Sequence, residues 1–484
     1  MSISSRTVVS SMLWKLVEQF SSQLVSFIIS IVLARILLPS DYGLIAILLV
    51  FISFANVIID GGLNMALIQK KNADQTDFST IFWFCLFVAT LLYTVLFFCA
   101  PLIARFYGNE NLNSILRVIS IVLFFNSFNS IQRAYVSRHM LFRKLFFVNA
   151  VAITISGTIG IVMAYRGYGV WALVGQTISS PLVGCILMLI TIRWFPTFEF
   201  SIERFKPLFG FGWKVFLTNL IISIYSNIRS LIIGKVYQPS TLAFFDRGKA
   251  LPDLLMSNVT TSINAVLLPS FSEEQDNPLR VKQMMRRSIQ VTYLFIAPIL
   301  VGFFFASNEI VLILLTEKWL PAVPFIRIFC VAFLLTPIQN INVTAIQSLG
   351  YSNITLKIEL LKKSIETVIL VVSFMIGVYA VAWGIVVYNT ICILVNLRPS
   401  KKLINYGLIE QIKDIFPILL VAFVMGGVIY ACELLPLPSI WVLLSQIILG
   451  AGVYYCLCML FRFSSLDYIK DYIKTSVPGV KNRK

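Results

Sequence analysis

The chain has 484 residues, of which 58% are hydrophobic and 13% charged, and its mean hydropathy is +0.87. Soluble domains hold roughly 45–50% apolar and about 25% charged residues, so this excess excludes a soluble protein with one buried core and indicates an outer surface that faces lipid. The net charge of +17 comes from Lys and Arg residues that lie between apolar runs, which is typical of membrane proteins and argues against nucleic-acid binding.

Apolar stretches near twenty residues, the length of a membrane-spanning helix, recur along the whole chain. We predict fourteen spans, at residues 11–37, 42–64, 78–104, 112–136, 145–165, 169–192, 208–236, 250–270, 288–315, 322–348, 354–376, 379–397, 415–434 and 439–462. About 24 Lys and Arg residues lie in one alternating set of loops and termini and about 6 in the other. The positive-inside rule therefore predicts that both termini are cytoplasmic.

Two parts of the chain resemble each other at an offset of about 200 to 211 residues. R-I-L-L-P-S at 35–40 corresponds to K-V-Y-Q-P-S at 235–240, L-R-V-I at 116–119 to I-R-I-F at 326–329, and G-V-W-A at 169–172 to A-V-A-W at 380–383. We predict two pseudo-symmetric six-helix bundles, 1–207 and 208–400, then two additional transmembrane helices at 401–463 and a basic cytoplasmic tail at 464–484. Transporters built from such repeats hold the substrate at the repeat interface.

Polar side chains interrupt several predicted spans, although an ionisable group at the centre of a membrane helix costs about 2.5–3.5 kcal/mol. The cations are Lys15, Arg117, Arg133, Lys214, Arg229 and Arg327, and the uncharged polar candidates are Gln19, Asn126, Asn129, Asn219 and Gln339. We expect them to line a hydrated, largely cationic cavity in which Arg and Lys bind phosphate oxygens and amides bind sugar hydroxyls. The alternative is that these groups pair within a bundle, as Lys15 can with Glu18, or extend to the headgroup layer.

Four stretches resemble the polysaccharide transporter family, the Wzx-type flippases: L-A-R-I-L-L-P-S-D-Y-G-L (33–44), D-G-G-L-N-M-A-L-I-Q-K-K (60–71), S-T-I-F-W (79–83) and G-Y-G-V-W-A-L-V (167–174). The resemblance is close for spans 1–6 and looser for spans 7–12. It implies an all-α fold of the multidrug/oligosaccharidyl-lipid/polysaccharide exporter superfamily, with two six-helix lobes in a V. It also implies a flippase that moves an undecaprenyl-pyrophosphate-linked oligosaccharide across a bacterial inner membrane by alternating access through a cationic central cavity, for O-antigen, capsule or exopolysaccharide synthesis.

The glycines and the proline of these stretches also have a structural interpretation. The residue before Pro39 disfavours helix, and Gly43 leaves room for close packing, so 33–44 is predicted to form a tight hairpin between two helices. Gly61 and Gly62 are interpreted in the same way as a helix end, not as a phosphate-binding loop.

No nucleotide-binding motif is present, so we expect no cofactor, and transport driven by a proton or Na⁺ gradient or by consumption of the product. The acids that are candidates for ion coupling are Glu18, Asp60 and Glu366. We expect a non-enzymatic protein that binds the lipid-linked sugar and membrane lipids, and that works with a polysaccharide polymerase and a chain-length regulator.

Three alternatives remain open from the residues alone. A lipid II flippase of the same fold fits the charge almost as well. A cation-coupled multidrug antiporter needs an acidic, aromatic pocket, whereas cations outnumber acids in these spans. A membrane glycosyltransferase or ligase usually needs an acidic metal motif or a large loop with Arg and His, and the one histidine, His139, lies in a predicted cytoplasmic loop.

Overall fold

The computed structural model describes residues 5–461, with the side chains of 5–13, 16, 258–266 and 352 left undescribed. The predicted tail at 464–484, and Asn258 and Asn264 of the predicted eighth span, lie outside the described side chains. The elements are α1 (Ser5–Ile36), α2 (Pro39–Asp60), α3 (Leu63–Gln69), α4 (Gln75–Tyr107), α5 (Asn111–Ile119), α6 (Val122–Arg138), α7 (Phe142–Tyr165), α8 (Val170–Ile192), α9 (Ile202–Val236), α10 (Pro239–Glu273), α11 (Pro278–Phe305), α12 (Ser307–Leu314), a 3₁₀ turn (Glu317–Ala322), α13 (Val323–Leu334), α14 (Thr336–Ser348), α15 (Ser352–Ile376), α16 (Val378–Ile404), α17 (Leu408–Glu433) and α18 (Ser439–Leu460).

Twelve segments of the described chain are long and apolar enough to cross a membrane, and residues 5–461 contain no β-strand. The prediction of an all-α membrane protein is therefore confirmed. The twelve segments correspond to every predicted span except 250–270 and 354–376. Helices α10 and α15 cover these two ranges and are 35 and 25 residues long. Residues 258–266 of α10 lie outside the described side chains, and α15 contains five charged residues, so the exact number of fourteen stays a prediction.

The chain divides into two compact units, Met1–Ala243 and Phe244–Lys484. Helix α9 belongs to the first unit, where it packs against α2 and α3, although the sequence repeat begins with it. The two units are defined by how the helices pack, and the ends of a sequence repeat can fall elsewhere. The predicted division at residue 207 therefore stays a prediction. In the first unit, α7 packs closely against α1 and α8. In the second, α17 packs closely against α11 and α18.

The predicted hairpin at 33–44 is present and it is tight. Helix α1 ends at Ile36, α2 begins at Pro39, and the Asp41 carboxylate accepts a hydrogen bond of 3.1 Å from the Leu38 backbone N–H. A Cβ atom on Gly43 would overlap the main-chain carbonyl of Pro239. These residues therefore join and pack helices, which agrees with the structural interpretation of this stretch.

The break between α2 and α3 brings two helix backbones close together. Gly61 and Gly62 have φ angles of 52° and 68°, in the left-handed region that favours glycine, so this pair is a helix end as predicted. A Cβ atom on Gly62 would overlap the carbonyl oxygen of Gly212 in α9. The two glycines thus hold α9 against the α2–α3 break.

We expect Gly62→Ala to destabilise the protein by about 1–3 kcal/mol, because it adds overpacking to an unfavourable left-handed backbone. Gly108→Ala is the matched control, since Gly108 has a φ of 67° but no atom within 4 Å of an added Cβ. Thermal unfolding of the purified protein in detergent measures both variants. Equal losses in the two would show that the approach to Gly212 contributes nothing.

In the second unit, a polar network fastens α17 to its neighbours. The amides of Asn342 and Gln411 are buried and donate to each other, at 2.9 and 3.1 Å, and Ser400 Oγ donates to Asn342 Oδ1 at 2.6 Å. Asp414, which is also buried, accepts from the Tyr406 hydroxyl at 2.8 Å and from Arg286 Nη2 at 2.5 Å. Buried polar groups satisfied in this way specify how helices pack.

Candidate cavity in the first unit

A cavity of about 860 Å³ lies among α1, α2, α6, α7 and α8 of the first unit, with Asn219 of α9 at its margin. Its polar lining residues are Lys15, Glu18, Ser22, Ser53, Asn56, Asp60, Asn126, Asn129, Arg133, Asn149, Thr177, Ser180 and Asn219. A second cavity of about 410 Å³ shares Asn56, Asp60, Asn126, Asn129 and Arg133 with the first and adds Asn64 and Ser130. The two cavities therefore share one polar wall.

Glu18 joins two helices at the edge of this cavity. The residue is only 6% exposed, and its carboxylate accepts from Lys15 Nζ at 2.7 Å and from Asn149 Nδ2 of α7 at 2.8 Å. Lys15 itself remains about half exposed. The predicted pairing of Lys15 with Glu18 thus exists, and both residues also face the cavity.

Asp60 is held where α2 breaks. Its Oδ1 accepts hydrogen bonds from Asn64 Nδ2 and, at 3.1 Å, from Ser130 Oγ of α6. One turn earlier on α2, Asn56 accepts from Asn126 Nδ2 at 3.1 Å. These bonds connect the broken helix to α6 and fix a row of amides and hydroxyls along the shared wall.

Arg133 differs from the other charged residues of the cavity. It lines both cavities and is solvent-exposed within them. Its guanidinium is attracted by the charge of Glu18, but it makes no hydrogen bond or close ion pair with any residue that the structure describes. The formal charges of the lining balance, with Lys15 and Arg133 against Glu18 and Asp60. Because Lys15 is paired with Glu18, Arg133 presents the guanidinium donors that are available to an anion.

The remaining predicted site residues line neither cavity. Gln19 is half-buried on α1, Lys214 is exposed on α9, and Arg229 is half-buried on α9. Arg327, Gln339 and Glu366 belong to the second unit, where Glu366 pairs with Lys363 at 2.8 Å. Whether any predicted residue contacts a substrate, and whether a cavity lies between the two repeats, stay predictions.

Arg117 and Arg327, which correspond in the repeat, make the same type of contact. Arg117 Nε donates to the carbonyl of Phe97 at 3.2 Å, and its guanidinium lies 4.5 Å from the centre of the Phe97 ring. Arg327 Nε donates to Ser307 Oγ at 3.0 Å and lies 5.8 Å from the centre of the Phe304 ring. In both units the arginine reaches an acceptor twenty residues earlier. This agreement supports the internal repeat and gives both arginines a structural role.

Asn129 and Gln339 form a second matched pair. Asn129 Nδ2 donates to the Pro181 carbonyl in α8 at 2.8 Å, and Gln339 Nε2 donates to the Asn389 carbonyl in α16 at 3.1 Å. In each unit an amide therefore links two helices through a main-chain oxygen. Asn129 lines the cavity as well, and its Oδ1 is buried without a partner among the described residues.

Sequence reasoning missed several polar residues of the cavity, chiefly Asn56, Ser130 and Asn149. Each interrupts an apolar run, and Asn56 lies four residues before Asp60, on the same face of α2. Asn126 and Asn129 were selected because they are polar residues within an apolar run, and the same criterion would have selected Asn56, Ser130 and Asn149.

Comparison with known proteins identifies related sequences and a related fold. The model of a family described as "Polysaccharide biosynthesis protein" matches residues 32–324. The succinoglycan biosynthesis transport protein ExoT of Rhizobium meliloti (strain 1021) is 24% identical over 336 residues, covering 69% of this chain and 68% of ExoT. The lipopolysaccharide biosynthesis protein WzxC of Escherichia coli (strain K12) is 22% identical over 315 residues, covering 64% of this chain and 63% of WzxC. Among solved structures, the lipid II flippase MurJ in an inward closed conformation superimposes with a TM-score of 0.75 at 15% identity, over 93% of this chain and 98% of MurJ. This likeness shows the fold.

Proposed function

The chain belongs to the polysaccharide biosynthesis protein family, and from this premise we propose that it flips a polyprenyl-pyrophosphate-linked oligosaccharide from the cytoplasmic to the periplasmic leaflet of a bacterial inner membrane. The family and the related proteins support the general function of a multi-pass membrane transporter in polysaccharide biosynthesis. The observation that supports this more specific proposal is the guanidinium of Arg133, which faces a polar cavity and makes no hydrogen bond with any described residue.

The lining of the cavity suits a phosphorylated sugar. A guanidinium binds phosphate oxygens with two parallel hydrogen bonds, and the amides of Asn56, Asn126 and Asn149 offer donors and acceptors to sugar hydroxyls. A volume of about 860 Å³ lies within the range of small-molecule sites. The prenyl tail need not enter the cavity, because it is as apolar as the bilayer itself.

The predicted topology supports loading from the cytoplasm. With a cytoplasmic N-terminus, Lys15, Glu18, Arg133 and Asn149 all lie in the halves of their helices that are nearer the cytoplasm. The headgroup is made on that side, so the charged end of the substrate meets Arg133 first. Alternating access then exposes the bound headgroup to the opposite side.

Deletion of the gene tests this function in cells. We expect the strain to lose surface polysaccharide and to accumulate a complete lipid-linked oligosaccharide that a membrane-impermeant sugar oxidant cannot reach. Accumulation of a shortened or unmodified oligosaccharide would instead indicate a glycosyltransferase or ligase. Accumulation of lipid II would indicate the peptidoglycan flippase. A complete oligosaccharide that the oxidant reaches as readily as in the parent strain contradicts the proposal.

We propose in addition that an acid within the helices couples transport to a proton or Na⁺ gradient, with Glu18 and Asp60 of the cavity and Glu366 of the second unit as the candidates. Glu18 is the first to test, because its carboxylate bridges α1 and α7 and its neutralisation would release Lys15. We expect Glu18→Gln to bind the lipid-linked sugar and to flip it at a rate that no longer responds to an imposed gradient. Unchanged gradient dependence in this variant excludes Glu18. We also propose that the protein works together with a polysaccharide polymerase and a chain-length regulator.

A further inference from the structure

Two acidic residues of the second unit, Glu309 and Glu433, interact electrostatically. Glu309 lies in the first turn of the short helix α12, and Glu433 is the last residue of α17. Helix α12 packs against α18, which contributes Gln446. Residue 309 is far from residues 433 and 446 in the sequence, and none of the three was selected from the sequence as a site residue.

Acceptor oxygens without donors are concentrated at this point. Glu309 is 7% exposed, and its Oε2 has no hydrogen-bond partner in the described part of the chain. Asn308 Nδ2 donates to Glu433 Oε1 at 2.7 Å, but Glu433 Oε2 is buried and unpartnered. Gln446 is 1% exposed, its amide contacts the Glu309 carboxyl, and its Oε1 also lacks a donor among the described residues. A buried acceptor in this state loses its hydration without replacement.

The nearby charges do not balance. The charged groups that act on Glu309 are Glu433 from α17 and Arg327 from α13, so the group carries two acids and one base and a formal charge of −1. Burial is the main cause that raises the pKa of the Glu309 carboxyl, and the Glu433 carboxylate also raises it. Hydrogen bonds from its own backbone N–H and from Gln446, and the charge of Arg327, oppose this rise. One added positive charge would neutralise the cluster, whereas a divalent ion would reverse its sign.

We propose that Glu309, Glu433 and Gln446 form a site for one monovalent cation, either a proton shared by the two carboxyls or an ion of the size of Na⁺ bound by their oxygens. Hard cations take oxygen ligands of this kind, and two carboxylates that share a site retain one proton readily. The bound cation links α12 to the α17–α18 pair. The site does not depend on the proposed transport function.

Thermal unfolding of the purified full chain tests the site, at pH 6 to 9 in choline chloride or in sodium chloride of equal ionic strength. A raised carboxyl pKa stabilises the folded state at low pH, and this stabilisation is lost as the pH rises through it. In choline we therefore expect the midpoint to fall by about 2–4 °C between pH 6 and pH 9. Restoration by Na⁺ at pH 9 identifies the metal ion as an occupant, and no restoration identifies the proton alone.

Two variants isolate the cluster from other titrating groups. Glu309→Gln and Glu433→Gln each remove one negative charge with little change of shape, so we expect both to lose the difference between pH 6 and pH 9. Glu317→Gln, at an exposed acid in the adjacent 3₁₀ turn, is expected to keep it. The proposal is wrong if the wild type and both cluster variants share one profile in both salts. Because transport is not measured, such a failure leaves the flippase proposal untouched.

Discussion

Replacing Arg133 with glutamine is expected to lower translocation of the lipid-linked oligosaccharide roughly 10- to 100-fold. Hydrogen bonds to charged groups contribute about 1.5–3 kcal/mol, and each 1.4 kcal/mol is a factor of ten. The side chain makes no hydrogen bond with a described residue, so its loss breaks no such bond and removes only an electrostatic attraction to Glu18. We therefore expect the variant to fold normally and to fail in export, measured as surface polysaccharide per cell at matched membrane levels of the protein.

Two further variants define what Arg133 contributes. Arg133→Lys keeps the charge and loses the two-pronged geometry, so an intermediate rate is expected. Arg166→Gln removes an exposed guanidinium outside both cavities, and it is expected to export like the wild type. If Arg133→Gln exports as well as Arg166→Gln, Arg133 has no part in binding the headgroup.

The largest expected loss of stability is at Asp414. Asp414→Ala removes the acceptor of Arg286 and of the Tyr406 hydroxyl, and Tyr406 is 0% exposed. A buried donor left without an acceptor costs about 1–3 kcal/mol. Arg286 is more than half exposed and can regain water, so we expect a total loss of about 2–3 kcal/mol. The measurement is the thermal unfolding midpoint of the purified protein.

Glu410 provides the control for Asp414, because it lies one turn earlier on the same helix. Its carboxylate pairs with Lys282 at 2.6 Å and is half exposed, and such a surface pair contributes about 0–1 kcal/mol. Glu410→Ala is therefore expected to unfold close to the wild type. A comparable loss in both variants would mean that the buried network around Tyr406 does not hold α17.

The helical map could be predicted from the sequence because lipid demands long apolar helices. That demand acts on each segment separately, so the length and composition of one segment suffice. Of the two segments not counted as spans, α10 includes residues 258–266, whose side chains are not described, and α15 carries five charged residues. In α15, Glu359 pairs with Lys362 at 3.0 Å and Lys363 with Glu366 at 2.8 Å. These ion pairs neutralise the charges along the helix, and a hydropathy average does not take such pairing into account.

The cavity could be predicted only in part, because contacts between helices depend on residues far apart in sequence. Arg117 and Arg133 have the same local signal, a cation in an apolar run of the fourth predicted span. Arg117 bonds to the Phe97 carbonyl, whereas Arg133 faces the cavity. The pattern does not distinguish them, since the difference lies in what α4, α7 and α8 place around each guanidinium. Glu309 and Glu433 were missed for the same reason.

The most direct measurement of the account is translocation by the purified chain in lipid vesicles. A fluorescent polyprenyl-pyrophosphate oligosaccharide is placed in both leaflets, and a membrane-impermeant glycosidase cleaves the sugars exposed outside. We predict cleavage of nearly all of the sugar with the wild type, and of about half with Arg133→Gln or with empty vesicles over the same time. Cleavage that stops near half with the wild type, or that is equally complete with Arg133→Gln, would contradict the account.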